Sequence, residues 1–285
     1  MIVLLGGSGF LGNHLIKELQ KTNYNFKTMF HKNELPENIE TFSGSVNTPD
    51  SLFENISEGD IVINLTGQII QNDSNFLNKS VNQTLNILNA CKKNKVKKII
   101  FASSINVYGD QSGKSFDEND SLNPTTQYGL TKMKIEQTCE NFSKQFDLPI
   151  TILRFSLIYG TGQVSGFFGN IQKSFKTSEP ITIYHNGEQS RDVIFVDDAI
   201  KAIISSLSAT DKKFTIYNIS SGNSYKINEI IALIEKTTNK KLNVILSKME
   251  PDEKYLCADN SKAKKFLKFQ INTDLEHGIT QIFNH

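Results

Sequence analysis

Tyr128 and Lys132 stand four residues apart in Tyr128-Gly129-Leu130-Thr131-Lys132, and Ile135, Cys139, Phe142 and Phe146 continue the spacing. On a helix this places tyrosine and lysine on one face, and the apolar residues turn that face inward. A lysine held out of water needs a partner or a use. A phenol beside a fixed positive charge is suited to give or take one proton, so Tyr128 is a candidate general acid or base. The other reading is a Lys132 whose stem lies along apolar surface and a Tyr128 that only packs. Ser103 and Ser104 follow the apolar run Lys98-Ala102, where a hydroxyl can hydrogen-bond a reacting alcohol or carbonyl oxygen.

A second group binds rather than reacts. Gly6-Gly7-Ser8-Gly9-Phe10-Leu11-Gly12 joins the apolar run Ile2-Leu5 to a stripe at Leu11, Leu15 and Leu19. Gly6 allows a tight turn, Gly9 lets backbone approach a pyrophosphate, and Gly12 lets the helix pack closely on the strand. The helix start then offers unpaired N–H groups to phosphates. The other reading is a tight strand-to-helix turn, and the position between first strand and first helix favours a dinucleotide. The second apolar run ends Met29-Phe30-His31-Lys32, with the next acid, Glu34, beyond the place where a ribose 2′-hydroxyl would be met. His31 and Lys32 suit a 2′-phosphate, which predicts NADP(H) over NAD(H).

These groups need a scaffold, and the chain supplies one. Short apolar runs at Ile2-Leu5, Phe26-Phe30, Ile61-Leu65, Lys98-Ala102, Ile150-Phe155 and Phe214-Ile219 read as buried parallel strands. Helical stretches lie between them; one is marked by Leu77, Val81, Leu85 and Leu88, and another opens at Asn123-Pro124, with Asn as cap and Pro in the first turn. The alternation predicts a doubly wound α/β sheet, a Rossmann fold, with right-handed crossovers. After Thr161 the elements shorten and Gly, Ser and Pro punctuate them. This predicts a smaller α/β substrate-binding region, 161–191 and 221–285, over a dinucleotide-binding part, 1–160 with 192–220 returning to it.

Composition narrows the class. The 285 residues carry 31 Lys+Arg against 30 Asp+Glu, a net charge of +1. That argues against nucleic-acid or acidic-membrane capture. No apolar run approaches the ~18 residues of a membrane span, and Met1-Gly6 lacks the basic start of a signal peptide. Cys91, Cys139 and Cys257 form no C-x-x-C pair, which points to a reducing cytoplasm and no structural metal. The basic run Lys92-Lys98 reads as a solvated helix end.

Ser104, the Tyr128–Lys132 pair and the glycine loop together resemble the extended short-chain dehydrogenase/reductase superfamily. Within it the chain is similar to the NAD(P)-dependent nucleotide-sugar epimerase/dehydratase/reductase family. The resemblance runs over nearly the whole chain. Val81-Asn82-Gln83-Thr84-Leu85 matches the family's helix with a structural or catalytic asparagine, which puts Asn82 beside Ser104, Tyr128 and Lys132 in the catalytic set. Asn64-Leu65-Thr66-Gly67 matches the strand end over the cofactor. The resemblance also implies cofactor contacts from Ser45, Val46, Ser103 and Phe155, and substrate contacts from Gln68, Ser104, Asn106 and Leu157. Gly187–Asp198 matches the stretch whose arginine grips the substrate diphosphate, here Arg191. The only arginines are Arg154 and Arg191, and a guanidinium grips phosphate bidentately where lysine cannot. A salt bridge to Asp192 or Asp197 is the other use of Arg191, and Arg154, on an apolar strand, suits structure. A nucleotide-diphosphate sugar is the implied partner. A homodimer through the Leu77-Cys91 and Tyr128-Phe146 helices is the family's habit.

Departures from the family narrow the reaction. Its dehydratases carry an acid pair where Ile105 and Asn106 stand, and its 3,5-epimerase/reductases a cysteine at Ile105. Two reactions remain, C4 epimerisation and reduction of a 4-keto sugar. Leu157 stands where the epimerases have asparagine, the chain is short, and His31-Lys32 suits NADPH. These favour an NADPH-dependent 4-keto-sugar reductase with Tyr128 as proton donor. An NAD-dependent UDP-sugar-type 4-epimerase is the alternative; a dinucleotide-binding protein without catalysis is the third reading.

Overall fold

The computed structural model describes residues 1–30, 35, 38–67, 75–110, 113–209, 213–250 and 253–283. β1 (Ile2–Leu5) leads through the glycine loop into α1 (Phe10–Leu19). β2 (Phe26–Phe30), β3 (Glu40–Ser43), α2 (Pro49–Asn55) and β4 (Ile61–Asn64) follow, and α3 (Phe76–Lys93) crosses to β5 (Lys98–Ser104). One turn of 3-10 helix, Ile105–Val107, follows β5; then α4 (Gln127–Phe146) returns to β6 (Ile150–Phe155). β7 (Leu157–Tyr159), α5 (Gly166–Thr177), β8 (Ile181–Ile183), β9 (Ser190–Phe195) and α6 (Val196–Leu207) lead to β10 (Phe214–Ile219). β11 (Ser224–Lys226), α7 (Ile227–Thr238), β12 (Val244–Leu246), β13 (Tyr255–Leu256), α8 (Ser261–Leu267) and α9 (Leu275–Phe283) close the chain.

Seven parallel strands in the order β10-β6-β5-β4-β1-β2-β3 form the main sheet. Strand order reverses between β1 and β4, which opens a crevice at their carboxyl ends. Both faces are covered, so the central strands are apolar on both sides. In β1, Ile2 and Leu4 join one core and Val3 and Leu5 the other; in β6, Leu153 and Phe155 oppose Ile150 and Ile152 in the same way. This is the expected Rossmann-type α/β fold. β9 runs in a second sheet, paired with β7, β11 and β13, and β8 pairs with β12. Among the described residues no helix is long and apolar enough to cross a membrane.

Four details depart from the expected elements. β3 carries no apolar run: Glu40-Thr41-Phe42-Ser43 buries only Phe42, at the sheet edge. α3 buries Phe76, Thr84, Ile87, Leu88, Ala90 and Cys91, while Leu77, Val81 and Leu85 are half-buried. α3 packs on α2 and α4 as well as on the sheet, so the covered face is wider than one leucine stripe and rotated from it. α4 begins at Gln127, not at Asn123: Thr126 Oγ1 accepts from Gly129 N–H at 3.0 Å. Asn123 instead bonds Tyr108 O through its N–H at 3.3 Å and packs against Gly109, where a Cβ would collide with Asn123 O. Lys98 is buried rather than solvated; its Nζ donates to Ser206 O at 2.8 Å and Ala209 O at 3.0 Å, closing the end of α6.

Candidate active site

Gly6 takes φ +92°, and a Cβ there would lie 2.9 Å from the carbonyl carbon of Leu65, so the turn tucks under the end of β4. A Cβ on Gly12 would collide with Gly6 O, because α1 packs directly on the loop. Gly9 differs. It caps α1 at φ −78°, and a Cβ there would meet nothing closer than Gly6 O at 3.4 Å. Among the described residues nothing requires glycine at that position, so the open space over the helix start is room for a ligand, and it fits a dinucleotide pyrophosphate. Ser8 and Phe10 flank Gly9; Ser8 O accepts from Asn13 Nδ2 at 3.2 Å, and Leu11, the second residue of α1, is half-buried.

The strand ends that line the same edge are held from within. Thr66 donates to Asn64 Oδ1 from its N–H at 3.1 Å and its hydroxyl at 2.6 Å. After β3, Ser45 N–H donates to Ser51 Oγ at 3.3 Å, and Val46 O accepts from Asn86 Nδ2 at 2.9 Å. Phe155 is buried at the end of β6 and Leu157 is half-buried at the start of β7. His31, Lys32 and Gln68 lie outside the described residues.

Tyr128 and Lys132 face one cleft, with Asn64, Thr66 and Gly67 on one side and Ser80, Gln83 and Thr84 of α3 on the other. Lys132 is 7% exposed, its Nζ donates to Ala102 O at 2.9 Å, and it stands 5.8 Å from the centre of the Tyr128 ring. The lysine is thus anchored under the cleft rather than snorkelling to water. Tyr128 is half-buried, and its hydroxyl has no hydrogen-bond partner among the described residues. Asn82 is not brought to this cleft. It is exposed on α3, because the face that turns inward is the one carrying Ser80, Thr84 and Ile87.

One turn below Lys132, Glu136 fastens α4 to the sheet. Its Oε1 accepts from Ser103 Oγ at 2.5 Å and from Arg154 Nε at 3.1 Å, and its Oε2 accepts from Arg154 Nη2 at 2.6 Å. Arg154, 2% exposed, also donates to Tyr108 Oη at 2.8 Å, and Tyr108 donates to Asn218 Oδ1 at 2.8 Å. Burial outweighs the nearby guanidinium and pushes the Tyr108 phenol up to about 12, so it stays a donor. Through Glu136, Arg154 and the Ser103 hydroxyl fasten α4, the helix that carries Tyr128, to the sheet.

Ser104 ends β5. Its Oγ accepts from Asn106 N–H at 3.3 Å and donates to Asn106 Oδ1 at 2.7 Å; Asn106 Nδ2 donates to Glu253 Oε2 at 2.8 Å. Arg191, half-buried on β9, donates to Ser190 O at 2.9 Å and to Glu253 O at 3.0 Å. Neither expected carboxylate pairs with it. Asp192 accepts from Ser221 and Gly222, and Asp197 stands 3.7 Å from His14 Nδ1. Burial lowers the Arg191 pKa from its ordinary value, with Glu253 and Asp110 opposing. Glu253 is the residue that sequence patterns miss: it lies in no motif and meets Asn106 across 147 positions.

A model of the NAD dependent epimerase/dehydratase family matches residues 2–220. The chain is 30% identical to the uncharacterized UDP-glucose epimerase YtcB of Bacillus subtilis, over 98% of this chain and 95% of that protein. It is also 30% identical to a putative UDP-glucose 4-epimerase of Methanocaldococcus jannaschii, over 100% and 97%. Among solved structures it is similar to UDP-glucuronic acid 4-epimerase from Bacillus cereus in complex with UDP-glucuronic acid and NAD, at 27% identity and TM-score 0.89, covering 99% and 98% of the chains.

These relatives correct two expectations. Solved neighbours at 26–27% identity hold NAD, which overturns the preference for NADP(H). Two basic residues past a strand end bind a 2′-phosphate only if the loop turns them to the ribose, and residue type does not decide that. The 4-keto-sugar reductase loses its supports as well. Proteins named as epimerases match this chain over 95% and 97% of their length, so a short chain does not mark a reductase. Leu157 remains alone as a departure.

Proposed function

We propose that this chain, which belongs to the NAD dependent epimerase/dehydratase family, is an NAD-dependent epimerase that inverts C4 of a UDP-sugar. The observation that carries the reading is the tyrosine and anchored lysine in one cleft at the sheet edge that also holds the glycine loop. The names of its relatives and the UDP-sugars and NAD in its solved neighbours support it. Bound NAD supplies the reversible oxidation at C4. Tyr128 Oη takes the proton of the C4 hydroxyl as the carbonyl forms and returns it when the carbonyl is reduced. Lys132 spends one of its three donors on Ala102 O, which leaves two for cofactor ribose hydroxyls. Arg191 holds the diphosphate, a pivot about which the keto sugar turns its other face to the cofactor. Residues 161–191 and 221–285 close over the sugar nucleotide in this reading, with 1–160 and 192–220 on the cofactor side.

We also propose a homodimer built on α3 and α4, whose outward face on α4 carries Gln127, Leu130, Lys134, Gln137, Asn141 and Lys144; a monomeric mass by light scattering would remove it. The three cysteines are buried and free, which supports a cytoplasmic location.

The test is to release and weigh the bound nucleotide, then follow UDP-glucose and UDP-glucuronic acid by NMR for appearance of the C4 epimer. The expected result is NAD and interconversion of at least one of the two. Tyr128→Phe should keep NAD and lose about 10²- to 10⁴-fold in kcat. Bound NAD with no conversion of either sugar nucleotide would overturn the reading.

A further inference from the structure

We propose that Glu253 is a positioning residue of this site: its carboxylate orients the Asn106 carboxamide, and through it the proton of Ser104. The kinetic consequence rests on the epimerase reading; the orientation itself does not. Glu253 is 4% exposed, and its Oε2 lies 2.8 Å from Asn106 Nδ2. A carboxylate only accepts, so the amide edge that faces it is the NH₂. The opposite edge, facing Ser104, is then the carbonyl oxygen, which also only accepts. Ser104 Oγ must therefore point its single proton at Asn106 Oδ1, at 2.7 Å. One lone pair of the same oxygen receives Asn106 N–H at 3.3 Å. What remains of Ser104 is one lone pair, so toward a sugar the hydroxyl is an acceptor. It can orient the C4 hydroxyl of the substrate, while the proton itself passes directly between the sugar oxygen and Tyr128.

The backbone of the same residue reaches the other half of the site. Glu253 O accepts from Arg191 Nη2 at 3.0 Å, Lys254 N–H donates to Asp110 Oδ2 at 3.1 Å, and Leu256 pairs with Arg191 in register. Glu253 thus stands between the guanidinium that would hold the diphosphate and the Ser104–Asn106 pair at the sugar. It sets their separation as well as the amide direction. Charged groups are rarely buried without such a use.

Glu253→Leu removes the acceptor, and Glu253→Gln keeps one acceptor oxygen but can also present its NH₂. Two readouts are taken on the NAD-loaded enzyme. The first is kcat and KM with the UDP-sugar that the wild type converts. Glu253→Leu should lose about 10- to 100-fold in kcat, as a misplaced reacting group does, with KM within about threefold and NAD retained; Glu253→Gln should fall between it and wild type. The second is hydrogen exchange of the Asn106 carboxamide in ¹⁵N-asparagine-labelled protein, assigned by its loss in Asn106→Ser. It should be protected in wild type and in Glu253→Gln and fast in Glu253→Leu. Wild-type kcat or unchanged amide exchange in a folded Glu253→Leu overturns the proposal. Should the wild type convert no UDP-sugar, the epimerase reading falls, and the exchange measurement still decides what Glu253 does.

Discussion

Arg191 has no direct ion-pair partner among the described residues, although Glu253 and Asp110 lie near enough to favour its charge: both of its hydrogen bonds end on neutral main-chain carbonyls. Among the described residues no carboxylate oxygen lies within 4.0 Å of it. A half-buried guanidinium in that state is a site for an anion, and its planar fork suits a diphosphate. Lysine would keep the charge and lose the fork. Arg191→Lys is therefore expected to raise KM for the UDP-sugar about 10- to 100-fold, the worth of one or two hydrogen bonds to a charged group. Its kcat should stay near wild type and its NAD content should not change. A variant that binds the sugar nucleotide normally in titration calorimetry would show that the diphosphate lies elsewhere.

The glycine loop separates two reasons for glycine within one element. Gly12 is demanded by packing: any Cβ meets Gly6 O, and α1 would have to lift off the loop. Gly12→Ala should cost about 2 kcal/mol of stability, read as a lowered urea midpoint. Among the described residues no atom nearer than 3.4 Å demands glycine at position 9, and its φ of −78° is open to alanine. Gly9→Ala should stay within about 0.5 kcal/mol of wild type yet purify with little NAD. Full NAD occupancy in that variant would mean that the pyrophosphate does not cross Gly9. The contrast also distinguishes a binding loop from a tight turn, which would show the stability cost at both positions.

At the scale of the molecule, the C-terminal segment is sewn to the rest through Asp192. This buried carboxylate accepts from Ser221 N–H and Oγ at 2.9 Å and from Gly222 N–H at 3.1 Å, and it sits beside Cys257 and Ala258. Burial raises its pKa above the ordinary 3.8, with the hydrogen bonds from Ser221 opposing. A raised acid binds its proton in the folded state before it does in the unfolded chain. Its contribution to stability therefore grows as pH falls through the folded value, is complete below 3.8, and is lost again as pH rises. Asp192→Asn cannot titrate, so subtracting its urea midpoint from that of wild type isolates the effect. The difference should shift in favour of wild type as pH falls from neutral toward 3.8. A difference that stays flat, or moves toward the variant, would contradict the assignment.

What the sequence determined by itself is what covalent geometry repeats locally. Strands buried on both faces read as unbroken apolar runs, so five of the seven main-sheet strands are legible to within a residue, and β5 only runs two residues further. A turn that must take φ +92° writes glycine at residue 6. A helix puts residues four apart on one face, so Tyr128 and Lys132 declare themselves. The tertiary structure alone decided whatever depends on which distant group fills a space. It set the covered face of α3, which left Asn82 outside, and it placed the start of α4 at Gln127, because Asn123 is occupied against Gly109. It chose Glu136 as the partner of Arg154, whose structural use the sequence already suggested. It brought Glu253 to Asn106 from the far end of the chain, since a buried carboxylate is satisfied by whatever donor the fold delivers, and no spacing along the chain encodes that meeting.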